Sequence, residues 1–304
     1  MPSSTEILDE IKRAIDGKNN PVDIVRRKYL KKLRDLRDRN VIVYYSAWLQ
    51  RTEQYADSSI NDNDIYALMS CLYSIDKKQG LDLILHTPGG NVAAAEAIGS
   101  YLRKQFGDDI VVIVPQLAMS AGTMIACAAK EIIMGAHSSL GPIDPHFNGV
   151  SAHGIITEFE RAKKDVSDNP LYAQVWSPIL SKYPPAFVGE CENAMLWARE
   201  IAYEWLISGM FKADANASDK AKKIVGELSD HNETKSHSRH IDFDKCSDMG
   251  LKITKLEGGE KRDLQDIVLS IYHAYNHTAA AFTNILKIIE NHNAQTSVTF
   301  KQGA

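Results

Sequence analysis

Two turns built of small residues constrain this chain more than any other feature. Both lie within residues 83–147, each at the C-terminal end of an apolar strand and each opening a helix. In the first, Leu83-Ile84-Leu85 runs into Thr87-Pro88-Gly89-Gly90-Asn91, and residues 92–102 then read as an Ala-rich helix. In the second, the apolar run 110–114 leads through a turn over 115–119, and Ser120-Ala121-Gly122 begins another helix. A serine hydroxyl at a helix N-terminus meets free backbone N–H groups and a dipole that favours developing negative charge. Glycines let backbone amides approach a ligand closely. Taken singly, a Pro-Gly-Gly turn is usually only a turn, and a serine opening a helix only an N-cap. In this order they are the parts of a nucleophile and an oxyanion hole.

The alternation of strand and helix through this region, with a further short strand at 131–134, predicts a parallel sheet with helical crossovers. Ligands bind at the C-terminal ends of such strands, where both turns lie. Upstream, residues 5–39 read as two helices broken at 17–21, the second strongly basic, and 41–46 as an apolar strand. A polar loop is expected over 48–59, then a helix over 65–73 with cap residues in Asp62-Asn63-Asp64. Downstream, helices are expected over 155–166, 187–211 and 218–228, and a helix-then-strand unit over 241–256. Residues 264–289 read as one long amphipathic helix, followed by a polar, frayed end. The division expected is a helical extension (1–40), an α/β domain (41–260), and a C-terminal helix and tail (261–304).

Composition excludes more than it selects. With 44% apolar and 24% charged residues over 304 positions, the chain is an ordinary globular protein with a sizeable core. A net charge of -4 argues against nucleic acid as the partner. Cys71, Cys127, Cys191 and Cys246 are far apart, which favours free buried thiols in a reducing, cytoplasmic setting. The opening residues carry no apolar signal segment. Residues 110–129 are uncharged but interrupted by Pro115, Gln116 and Gly122, so they read as strand, turn and helix and no membrane span is expected; a peripheral membrane contact stays open. No metal-ligand spacing, P-loop or dinucleotide fingerprint is present, so neither cofactor nor metal is expected.

Three segments, His86-Thr87-Pro88-Gly89-Gly90-Asn91, Ala118-Met119-Ser120-Ala121-Gly122-Thr123 and Ser139-Leu140-Gly141-Pro142-Ile143-Asp144-Pro145, carry a resemblance to a known family. They resemble the Clp-protease/crotonase superfamily, its signal-peptide-peptidase A type, and within it the SDH-type (serine dehydrogenase proteinase) Clp-fold peptidases. The resemblance is dense over 81–147 and thin on either side. It implies a ββα spiral with a parallel sheet and helical appendages, and an ATP-independent serine endopeptidase acting on peptides or unfolded proteins. It further implies a homo-oligomer, with the C-terminal and basic N-terminal helices as assembly elements. Ser120 is then the nucleophile, and backbone N–H groups of the Gly89-Gly90 turn and of Ala121 hold the oxyanion. Met119-Ser120-Ala121-Gly122 is not the G-x-S-x-G elbow of α/β-hydrolases.

The general base is less evident. Clp-type peptidases place a histidine downstream where this chain reads Pro142-Ile143-Asp144-Pro145-His146, so the expected histidine looks displaced or missing. Signal-peptide-peptidase types use a lysine, for which Lys163 and Lys164 are available, Lys164 being the alternative base. SDH-type proteinases carry a histidine just before an isoleucine-containing segment, which His237 matches best, with His240 behind it. Asp144 would orient such a base. His86 and His137, flanking the two turns, are expected as supporting or cleft groups. Two rival functions are a catalytically inactive Clp-fold scaffold that binds peptides and, less favoured, a crotonase-type acyl-CoA enzyme.

Overall fold

The computed structural model describes residues 2–15, 17–51, 55–73, 75–147, 149–230, 234–258 and 262–301. Its centre is a seven-stranded sheet. In chain order the strands of the molecule are Asn40–Ser46 (β1), Leu81–His86 (β2), Ile110–Val114 (β3), Leu117–Ala118 (β4), Glu131–Met134 (β5), Ser139–Leu140 (β6), His146–Phe147 (β7), Val150–Ser151 (β8), Ile253–Lys255 (β9), Ile285–Asn291 (β10) and Thr296–Phe300 (β11). The main sheet runs β11-β10-β1-β2-β3-β5-β9. From β1 to β9 every pair is parallel, whereas β10 is antiparallel to both β1 and β11.

Strands β1, β2 and β3 are buried along their whole length, as parallel strands covered on both faces must be. Their side chains alternate between two cores. Ile42, Leu83, Leu85, Val112 and Val114 pack under the helices Val92–Phe106, Ala121–Cys127, Phe187–Trp205 and Ala217–Ser229. Val41, Val43, Ile84, Val111 and Ile113 face the helices Pro21–Arg37 and Arg262–Ala281. The result is an α/β sandwich with a mostly parallel sheet, the architecture expected of a Clp/crotonase-like chain.

Beside the main sheet runs a smaller ladder. Thr87 bridges Ala118 in parallel, β4 pairs with β6, and Leu140 bridges Ile241 antiparallel. Long strand, short strand and helix therefore follow one another in β2–Thr87–helix and β3–β4–helix, which is the ββα repeat. The four cysteines are buried and free. Among the described residues no helix is long and apolar enough to cross a membrane.

The C-terminal region departs from expectation. The helix ends at Ala281, and residues 285–291 form the fully buried β10 rather than its continuation. The polar stretch that follows contains β11 instead of fraying. A short apolar run such as Ile285-Leu286-Lys287-Ile288-Ile289 fits either period, and the break at Phe282-Thr283-Asn284 decides it. The two helices expected as assembly elements pack on each other and on the sheet within the chain. Over 48–59 the chain also contains a short helix, Tyr55–Ser58.

Candidate active site

The nucleophile end is built where β2 and β3 run out. Thr87 N–H donates to Leu117 O at 3.0 Å and Met119 N–H donates to Thr87 O at 3.0 Å, which locks the two turns side by side. Gly89 has φ +95°, a conformation L side chains rarely adopt, and a Cβ there would lie 2.7 Å from the Cβ of Ser120 and 2.6 Å from Met119 O. Contact this close is open only to glycine. Ile60 then bridges the turn from outside: its N–H donates to Gly89 O (2.8 Å) and its carbonyl accepts from Asn91 N–H (2.9 Å). The Gly90 amide between them is left out of that ladder.

Ser120 is the N-cap of the helix Ala121–Cys127, yet its side chain makes no capping bond. Its backbone sits at φ 52°, ψ −117°, outside the regions a non-glycine residue ordinarily occupies. Such strain persists only where the surroundings over-determine it. Here they do. Gly122 N–H donates to Met119 O (2.7 Å), Met124 N–H to Ser120 O (3.1 Å), and Thr123 Oγ1 donates to Ala118 O (2.9 Å) while receiving Gly141 N–H (3.0 Å). The Ala121 amide, first in the helix, has no carbonyl a turn earlier to bond.

Beneath the Gly90 turn lies a buried ion pair. Lys287 Nζ, on β10, donates to Asp64 Oδ1 at 2.6 Å and to Ser59 O at 3.0 Å, both side chains being at most 2% exposed. Asp64 also accepts from Tyr44 OH (2.8 Å) and from Asn61 N–H (2.9 Å). Residues 59 and 61, on either side of Ile60, are thereby fixed by a carboxylate and an ammonium with no water around them.

The base end is assembled differently. Antiparallel bonding of Leu140 with Ile241 (3.0 and 2.9 Å) brings the loop before Ile241 over the Gly141-Pro142-Ile143-Asp144 turn. There His237 Nδ1 lies 2.7 Å from Asp144 Oδ1. His146 Nε2 lies 3.1 Å from the other carboxylate oxygen, and the two imidazoles stack with centroids 4.0 Å apart. Burial pushes the Asp144 carboxyl upward, but the bonds from His146 and His237 outweigh it and hold the group well below the usual carboxylate range. Asp144 is therefore ionised at neutral pH.

Both ends open on one cleft of about 740 Å³, lined by Gly90, Asn91 and Ser120 on one side and by His146 and His237 on the other. Met124, Ile143, Phe147 and Trp197 give it apolar walls. Of the residues expected from sequence, Ser120, Gly90 and His237 thus meet in one place, with Asp144 behind His237 and with Gly89 and Ala121 flanking the serine. Lys164 does not join them: it is exposed on the helix Ala152–Asp168 and absent from the cleft lining, so it has neither the burial nor the position that a lysine base needs. His240 is exposed as well. His137 sits away from the cleft, 2.9 Å from Pro115 O. His86 is buried among Trp48, Tyr45 and Tyr272, with neither ring nitrogen hydrogen-bonded among the described residues.

His146 is what sequence reasoning missed. In the stretch where the expected histidine looked displaced or missing, His146 contacts Asp144 and lines the cleft with Ser120 and His237. Its spacing, two residues after an aspartate held in a Gly-Pro-x-Asp-Pro turn, is the signal that was available.

The chain is similar to two uncharacterized proteins of Methanocaldococcus jannaschii. One is 32% identical over 173 residues, covering 57% of this chain and 51% of the relative. The other is 35% identical over 152 residues, covering 49% of this chain and 52% of the relative. The chain thus spans about half the length of the curated relatives it matches. The profile of the ClpP-like SDH-type serine proteinases matches residues 18–256, from the basic helix through β9 and across every residue of the cleft. Its family supports a serine peptidase function, and the chain belongs to the ClpP-like SDH-type serine proteinases.

Proposed function

We propose that the chain is an ATP-independent serine endopeptidase in which Ser120 is acylated. The observation that carries this is the strained backbone of Ser120, its hydroxyl unused for capping, across one cleft from a histidine held by a buried ionised carboxylate. Strain at a helix-opening serine has no structural purpose visible in the packing; exposing the hydroxyl is one.

His237 uses Nδ1 on Asp144, which leaves Nε2 to take the Ser120 proton as Oγ attacks the peptide carbonyl carbon. The carbonyl oxygen becomes an oxyanion and is held by the N–H groups of Ala121 and of the Gly89-Gly90 turn, chiefly Gly90. Collapse breaks the C–N bond, and the imidazolium returns its proton to the leaving amine. Water, deprotonated by the same nitrogen, then releases the acid and restores Ser120. Asp144 keeps the imidazole in the required tautomer and offsets its transient charge. The apolar walls favour apolar side chains beside the scissile bond.

The protein works as a homo-oligomer in the cytoplasm on this reading. Free buried thiols suit a reducing compartment. Tyr66, Met69 and Tyr73 form an exposed apolar stripe, each more than half exposed, on and just beyond the helix Asn63–Leu72.

Labelling with a fluorophosphonate probe, wild type beside Ser120→Ala, tests the proposal. A label on the wild type that vanishes in the variant is expected. A folded wild type that takes no label would leave a peptide-binding scaffold as the function.

A further inference from the structure

Asp144 accepts from two histidines where a catalytic triad uses one. His237 Nδ1 stands 2.7 Å from Oδ1 and His146 Nε2 stands 3.1 Å from Oδ2. One nitrogen of each imidazole and a carboxylate oxygen all lie within 4.8 Å of one another. A tetrahedral zinc ion with bonds of about 2.0–2.1 Å places its ligand atoms roughly 3.3 Å apart, a spacing these side chains reach by small rotations about their own bonds.

The backbone beneath them is fixed. Asp144 and His146 share the turn that enters β7, and β7 pairs with β8 through His146 and Ser151. His237 precedes the Leu140–Ile241 bridge. The carboxylate is 2% exposed and the two imidazoles about a quarter exposed, which leaves the cleft side open for a fourth, solvent ligand. Two imidazoles with one carboxylate suit Zn²⁺, Co²⁺ or Ni²⁺ and not Mg²⁺ or Ca²⁺.

We infer that Asp144, His146 and His237 form a binding site for a divalent transition-metal ion that silences the peptidase. A neutral imidazole carries one ring proton. Metal on Nδ1 of His237 confines that proton to Nε2, and a protonated Nε2 cannot accept the proton of Ser120. Each imidazole moves its proton from the metal-bound nitrogen to the opposite one through solvent, and Asp144 stays ionised throughout. No proton is lost and no redox step is involved. His146 has its use here: without it the pair His237–Asp144 would offer a metal only two ligands. The binding stands on the geometry alone; the silencing rests on His237 being the base for Ser120.

The test uses the full chain in two assays, each for wild type and His146→Ala. Titration with Co²⁺ is followed by its visible absorption, which is intense for tetrahedral sites, and by displacement with Zn²⁺. Fluorophosphonate labelling is measured in chelator and with graded Zn²⁺, every variant being referred to its own rate in chelator. The expected result is one tetrahedral Co²⁺ per chain and labelling suppressed by Zn²⁺, then restored by chelator. In His146→Ala the visible band is lost and sensitivity to Zn²⁺ falls by about tenfold or more. Labelling of the variant in chelator reports that it has folded; if it takes none, His146→Asn replaces it. A wild type without tetrahedral Co²⁺, or equal Zn²⁺ sensitivity in both proteins, overturns the inference. Tetrahedral Co²⁺ that depends on His146, with labelling indifferent to Zn²⁺, upholds the site and overturns the silencing, and with it the role of His237.

Discussion

Ser120 and the Gly89-Gly90 turn stand directly on the ends of sheet strands, whereas His237 stands on a loop that reaches the cleft from 93 residues beyond its acid. The first end is held from several sides at once: by the Thr87–Met119 ladder, by the Ile60 bridge, and by the Lys287–Asp64 pair below it. The second is held by the antiparallel Leu140–Ile241 bridge, by the Asp144 carboxylate and by the contact of the His146 and His237 rings. Where strain must be stored, the structure surrounds it. Catalytic constellations need rigid nucleophile and oxyanion geometry above all, and a histidine hinged on its acid tolerates more freedom.

The largest effect expected is at the lightly held end. His237→Ala should lower peptide hydrolysis by a factor on the order of 10⁴, as removal of a triad base does, with little change in thermal midpoint. His240→Ala and Lys164→Ala should leave the rate unaltered; equal losses in all three would mean that the loop contributes structure and not a base. At the firmly held end stability and activity should fall together. Lys287→Met leaves the Asp64 carboxylate buried without its cation and should cost about 3–5 kcal/mol by urea unfolding. Adding Asp64→Asn should recover part of that loss. If Lys287→Met unfolds the chain no more easily than the wild type, the turn is not held from below.

Next in size is Gly90→Ala, where a Cβ would collide with the Ile60 backbone. The displaced amide should lower kcat by about 10²–10³ while KM changes little, a signature of a group used mainly in the transition state. Within any one pH unit the effect of His86 is the smallest. Burial lowers the ionisation of His86 from 6.5 to about 3, so the folded chain keeps this ring neutral where the unfolded chain protonates it. The unfolded state then binds the extra proton, and stability must fall as pH drops from about 6.5 towards 3, by up to ~1.4 kcal/mol per unit. His86→Phe, which keeps a ring among Trp48, Tyr45 and Tyr272, should flatten that slope in unfolding titrations. A slope unchanged in the variant would assign the acid sensitivity elsewhere.

The same contrast explains what could be read from sequence. The Ser120 end was legible because its parts are locally contiguous: strand, glycine turn and helix start follow one another, while the resemblance, not spacing, set Gly89-Gly90 beside Ser120. The base end was legible only through resemblance, since nothing local relates Asp144 to His237. His146 lies in the stretch where the histidine of Clp-type peptidases reads as displaced or missing, and no local pattern ties it to Asp144 and His237. Strand β10 was hidden for another reason. Its five apolar-rich residues follow a true helix after a three-residue break, and nothing local relates Lys287 in their middle to its partner Asp64.

The Lys287–Asp64 pair also sets an order in time. The two residues are 223 positions apart, and synthesis proceeds from the amino end. Asp64, the Ile60 bridge and the glycine turn all leave the ribosome long before β10 exists. Until it arrives, a buried carboxylate has no counterion and β1 has an open edge. A nascent chain thus carries Ser120 before the Gly89-Gly90 turn has its support from Lys287. The same dependence works in reverse. A single cut that frees β10 would take Lys287 from Asp64 without touching the cleft.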